Sequence, residues 1–222
     1  MKLNLIVVLL IGLIYPKSER FDLTTGNQLE IIQSASFWLS GSPMINPMTN
    51  NRIILEISSS SLFRTDNSNI YKYPNIDIGI KVTKNLSLTY KAYGFRSEKD
   101  HPQVIGGGLQ YYFGGKDTLN WSSTFQRVDL RGLNHFSLKS LLIDIRKWYD
   151  WKNFKFCLGI GSNFFKERVF PSSNILPIVM KRQINFIGFD ISFPVSTVVL
   201  GLENQISRHM MNSTIYIQKE IF

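Results

Sequence analysis

The sequence predicts an all-β chain that closes into an antiparallel, up-and-down transmembrane barrel of about ten strands, with eight or twelve also compatible. Three features lead there. Apolar and polar side chains alternate with a period of two, turn-forming residues separate the alternating runs, and no apolar stretch after the leading one is long enough for a membrane-crossing helix.

The alternation is clearest in "NIDIGIKVTKNLSLTYKAYGF". Ile76, Ile78, Ile80 and Val82 point one way, and Asp77, Gly79, Lys81 and Thr83 the other. After Lys84-Asn85 the pattern resumes with Leu86, Leu88 and Tyr90 against Ser87, Thr89 and Lys91, which makes the stretch a β-hairpin. The same reading along the chain predicts strands over residues 52–58, 75–83, 86–95, 104–113, 118–128, 136–148, 154–164, 181–193, 196–205 and 213–222. Several approach the length that a tilted membrane strand needs, about 9–11 residues. Short connections are expected at residues 84–85, 114–117, 149–153 and around Pro194, alternating with longer ones. That alternation suits a barrel with short turns at one rim and long loops at the other. No long segment with a helical period is apparent.

The face opposite the apolar one decides which solvent each face meets. It reads Asn120, Ser122, Thr124, Gln126 in one strand and Gly188, Asp190, Ser192 in another. Small neutral residues fit the crowded inside of a narrow barrel, whereas a water-facing surface would be rich in Lys and Glu. The apolar face is therefore expected to meet lipid. Tyr111, Phe113, Trp121, Trp148, Trp151, Phe154 and Phe193 cluster near the short turns, as an interfacial aromatic girdle would.

Composition agrees. Only 18% of the 222 residues are charged and 13% are aromatic, fewer charges than the usual quarter of a soluble domain. The start, "MKLNLIVVLLIGLIYPKSER", places Lys2 before an apolar run too short to cross a bilayer, which reads as a signal peptide over residues 1–18. Residues 19–51 are then an N-terminal periplasmic or lumenal segment, and 52–222 the barrel. Cys157 is the single cysteine, so no intramolecular disulfide forms. His101, His135 and His209 lack ligand spacing, and neither a metal nor another cofactor is expected.

With these strands in view, residues 52–222 resemble the small outer-membrane β-barrels of Gram-negative bacteria. The resemblance implies a bacterial outer-membrane location and a structural or passive small-solute transport role. The ending "STIYIQKEIF" is similar to the C-terminal strand that barrel-assembly machinery recognises through a final Phe, here Phe222. Gln218 and Glu220 share the face of Phe222, a departure from that pattern that a bulge near Glu220 would repair and that otherwise weakens the insertion signal. "SGSPMINPM", residues 40–48, resembles the Asn-Pro segment that precedes the barrel in FadL-like and PorV/PorQ-like proteins.

Inward-facing charges are expected at Glu56, Asp77, Lys81, Lys91, Lys155, Asp190 and Glu203, as an ion-pair network or a polar pore lining. Arg127, Arg131, Arg168 and Arg182 lie near the long loops and are candidate contacts to lipopolysaccharide phosphates. "HFS", His135 to Ser137, raises an alternative. A lipid A deacylase of the PagL type uses a His-x-Ser pair, but Leu138 stands where that family has Asn. A soluble secreted barrel holding an apolar ligand is the other alternative. The chain is expected to be a non-enzymatic monomer whose partners are outer-membrane lipids, including lipopolysaccharide. Despite the formal charge of +9, nothing points to nucleic acid, since no stacking platform accompanies the basic residues.

Overall fold

A computed structural model describes residues 21, 23, 28–65, 70–97, 100–115, 118–170 and 179–221. The expected signal peptide and Phe222 lie outside the described residues. The elements are α1 (Gln28–Leu39), β1 (Ile53–Arg64), β2 (Ile70–Thr83), β3 (Leu86–Gly94), β4 (Gln103–Phe113), β5 (Trp121–Arg131), β6 (Phe136–Trp151), β7 (Phe154–Val169), β8 (Val179–Val195), β9 (Val198–Ile206) and β10 (Met210–Ile221). Each strand pairs antiparallel with its neighbours in sequence, and β1 pairs with β10. The result is the closed ten-stranded barrel that the alternation predicts.

The side chains sort by phase as the sequence implies. On β2, Tyr71, Tyr73, Asn75 and Asp77 are buried inside, while Ile76 and Ile80 are 44% and 47% exposed on the outside. Large apolar side chains cover the outer face of the other strands too, with Ile105, Phe125, Ile160, Ile187 and Ile215 among the exposed ones.

Several strands outrun their predicted limits. β1 continues to Arg64, β5 to Arg131, and β8 begins at Val179 and runs for 17 residues. The longer strands consume their loops. The β5–β6 and β9–β10 connections shrink below the β4–β5 connection, so the alternation of loop lengths is less regular than expected. Pro194 is not a turn. β8 runs through it to Val195 and the chain reverses at Ser196-Thr197. Proline is tolerated there because it lies at the strand end, where a missing N–H costs little. Ser196 and Lys152, in the two-residue turns after β8 and β6, both have positive φ (58° and 55°). Such turns match the twist of the strands they join. No bulge near Glu220 repairs the C-terminal pattern, which weakens its likeness to the insertion signal. The β1–β10 register runs unbroken from Ile53 opposite Ile221 to Arg64 opposite Met210.

The helix α1 is the element that the periodicity did not reveal. Its residues Ile31, Ile32, Ser34, Ala35, Ser36, Phe37, Trp38 and Leu39 are all buried, so it has no polar face to mark a 3.6 period. Small side chains let it fit a confined space, and Glu30 lies in its first turn, where a negative charge complements the helix dipole.

Candidate functional site

The interior of the barrel is occupied by its own N-terminal segment. Residues 36–51 descend from the long-loop end to the short-turn rim, and inward side chains of eight strands hold them. Asn163 on β7 donates to Ser36 O at 2.8 Å, and Trp38 Nε1 donates to Asn75 Oδ1 on β2 at 2.8 Å. Trp38 also stacks on Tyr73 with ring centroids 4.5 Å apart. Gln126 on β5 and Gln110 on β4 donate to Gly41 O and Pro43 O at 2.9 and 2.8 Å, and Ser40 bonds Gln205 on β9. Lower down, Met44 N donates to Glu56 on β1 at 3.2 Å. Lys81 Nζ donates to Pro47 O and Thr49 O, both at 2.6 Å. Thr49 and Asn51 then donate to the same Glu220 oxygen on β10, at 2.5 and 2.9 Å. Past the helix the segment makes few backbone bonds of its own, such as Ile45 N to Pro43 O and Thr49 N to Asn46 O, so these side chains satisfy groups that burial would otherwise leave unpaired.

Two ionic clusters flank the segment. Glu56, Asp77 and Lys91 face one another across β1, β2 and β3 by register. Lys91 Nζ lies 2.7 Å from Asp77 Oδ1 and both side chains are almost fully buried. On the far wall, Arg146 Nη2 donates to Asp144 at 2.7 Å and Nη1 reaches Glu203 at 3.1 Å. β6 and β9 are not neighbours in the sheet, so the second contact is a chord across the lumen. Arg146 also donates to Ser42 at 3.0 Å and contacts the Met44 sulfur, which ties the segment to this cluster. Gly159 makes the arrangement possible, because a Cβ there would lie 2.7 Å from Arg146 Cγ. Beside Arg146 a void of only about 10 Å³ remains, room for about one water.

Of the inward charges expected from sequence, Glu56, Asp77, Lys91, Asp190 and Glu203 are buried in the lumen. Lys81 is partly buried and holds the segment, and Lys155, opposite Ser192, lies near the short-turn rim, partly exposed. Sequence reading missed Asp144, Arg146, Glu167 and Glu220. The signal was present in "LLIDIRKW", where Asp144 and Arg146 alternate with the outward Ile143 and Ile145. Trp148, placed in the girdle by sequence, instead points inward, donates to Ser122 Oγ at 3.0 Å and packs with Met44, Cys157 and Tyr216. Odd spacing from Trp151 gives it the opposite phase. Tyr111, Phe113, Trp151, Phe154 and Phe193 are exposed on the outer face near the short turns, and Phe113 stacks on Trp121.

Arg127 and Arg131 face outward on β5 and converge on Asp129, at 3.6 and 2.9 Å. Arg168 is exposed on β7 opposite Ser137. Arg182 lies opposite Phe165, on the other phase of β8, yet it is exposed and borders the same cleft as Arg127. His135 precedes β6, and Phe136, between it and Ser137, is fully buried.

No family model matches the chain, and no curated protein matches it. Solved structures do. Neisserial surface protein A shares 8% identity at a TM-score of 0.37, over 78% of this chain and 98% of its own. The attachment invasion locus protein Ail of Yersinia pestis shares 12% at 0.30, over 77% and 95%. The N-terminal β-barrel domain of Pseudomonas aeruginosa OprF shares 9% at 0.34, over 77% and 98%. At such low scores, the reading of this chain rests on its own geometry.

Proposed function

We propose that the chain is an outer-membrane barrel with a structural role, its lumen closed by its own residues 28–51. The observation that carries this is the lumenal segment, hydrogen-bonded to eight strands beside a residual void of about 10 Å³. The apolar outer face supports the membrane assignment, since large apolar patches on a soluble monomer are rarely left to water. Closure supports it as well, because open strand edges in hydrocarbon leave unpaired backbone groups. We place the long loops at the cell exterior and the short turns in the periplasm. β10, which ends at the short-turn rim opposite the start of β1, is the strand we assign to the barrel-assembly machinery.

Passive small-solute transport is the second reading, because the closing segment is held largely by polar side chains that water can replace. No catalytic role is assigned to His135 or Ser137. Conductance in a planar bilayer tests the choice. The full chain is expected to give no steady current, and a chain lacking residues 28–51 to give one. Steady conductance by the full chain at the level of the deletion would replace the structural reading with the transport one.

A further inference from the structure

The outer face of β5–β8 near the long-loop end carries a charge arrangement that the lumen does not explain. Register places Lys139 on β6 opposite Lys166 on β7, and Lys166 opposite Lys181 on β8. Like charges directly opposite on neighbouring strands are destabilising. The only carboxylate in that row, Asp129, is taken by Arg127 and Arg131, and no ion pair among the described residues joins any of the three lysines. Immediately below runs the row Arg127, Leu141, Phe164 and Gln183. These cations, Arg182 and the two apolar side chains line an outward cleft of about 370 Å³.

We propose that this cleft binds the diphosphorylated lipid A moiety of lipopolysaccharide in the leaflet around the barrel. The proposal rests on the outer-membrane reading above. The lysines sit where the apolar belt gives way to charge, with cations above and Leu141 and Phe164 below, so a bound amphiphile would point phosphate up and acyl chain down. The row spans three strands, about 10 Å at the spacing between strands, which suits a headgroup with two separated phosphates better than one with a single phosphodiester. Lysine serves as a point charge toward phosphate, and Arg127 adds a planar donor at the edge of the cleft. An anion there would relieve the repulsion along the lysine row.

The test uses the full chain folded in zwitterionic detergent and titrated with diphosphoryl lipid A, monophosphoryl lipid A and phosphatidylglycerol, bound lipid being read by native mass spectrometry. Diphosphoryl lipid A is expected to bind tightest, and Lys139→Gln/Lys166→Gln/Lys181→Gln to weaken it roughly a hundredfold, at about fivefold per lysine near an anionic surface. Lys84→Gln/Lys152→Gln, at the short turns, should leave binding unchanged. If the triple variant does not fold, two arms remain. The Lys→Arg triple variant should retain binding, and the wild-type affinity should fall as salt shortens the screening length. Equal affinity of wild type and glutamine variant, equal binding of phosphatidylglycerol, or salt-independent binding would overturn the site. Unheated gel mobility and membrane partition of the same samples report on the barrel itself, so failure of the outer-membrane reading is seen separately.

Discussion

Arg146→Met should be among the most damaging single changes in the barrel wall. Methionine keeps much of the stem volume but removes the cation, leaving Asp144 and Glu203 with 1% and 6% side-chain exposure and no neutralising partner. Breaking a buried ion pair from one side costs about 3–5 kcal/mol, because the orphaned charge keeps its desolvation penalty. That is roughly a hundredfold to several-thousandfold in the folding equilibrium. The loss of contacts to Ser42 and Met44 should also loosen the lumenal segment. The assay is urea unfolding of the lipid-reconstituted barrel, followed by tryptophan fluorescence and by mobility of unheated samples on gels. The triple variant Arg146→Met/Asp144→Asn/Glu203→Gln removes both carboxylates that Arg146 pairs and should recover at least half of the loss, since a neutral core in place of a buried ionic cluster is often tolerated. If Arg146→Met unfolds within about 1 kcal/mol of wild type, the buried-charge reasoning fails. It fails equally if the triple variant is no more stable than the single one.

Ile78→Arg, on the outward phase of β2, should destabilise the lipid-inserted barrel by about 2–4 kcal/mol, measured by the same unfolding titration; a silent change would mean the faces are inverted. Gly201→Val would drive a side chain into the Tyr216 ring and should cost about 1–3 kcal/mol by overpacking, whereas Gly107→Ala on the outer face should be nearly silent; similar losses at both would refute the crowded lumen. Lys81→Met with Glu220→Ala cuts the lower bonds of the lumenal segment and should raise proteolytic cleavage near residues 47–51 while the strands stay protected; unchanged protection would show that these bonds do not hold the segment. His135→Ala and Ser137→Ala should leave the acylation pattern of lipid A as in wild type; loss of deacylation in both would assign Ser137 as a nucleophile.

The sequence by itself determined the barrel. A period of two with an apolar outer face needs no long-range information, because each side chain's phase follows from its neighbours two residues away, and hydrocarbon then demands closure. Five of the seven inward charges expected from alternation lie buried in the lumen for the same reason. The tertiary structure decided what fills that lumen. Most of the helix Gln28–Leu39 is buried, so no amphipathic stripe announces it, and residues 40–51 are irregular backbone whose remaining polar groups are met by side chains of the strands. The chord from Arg146 to Glu203 joins strands three apart in the sheet, a contact fixed by barrel curvature that no local pattern records. The lysine row has the same origin. Lys139, Lys166 and Lys181 lie far apart in the chain and become neighbours only when register aligns β6, β7 and β8, which also brings Arg182 to the edge of their cleft.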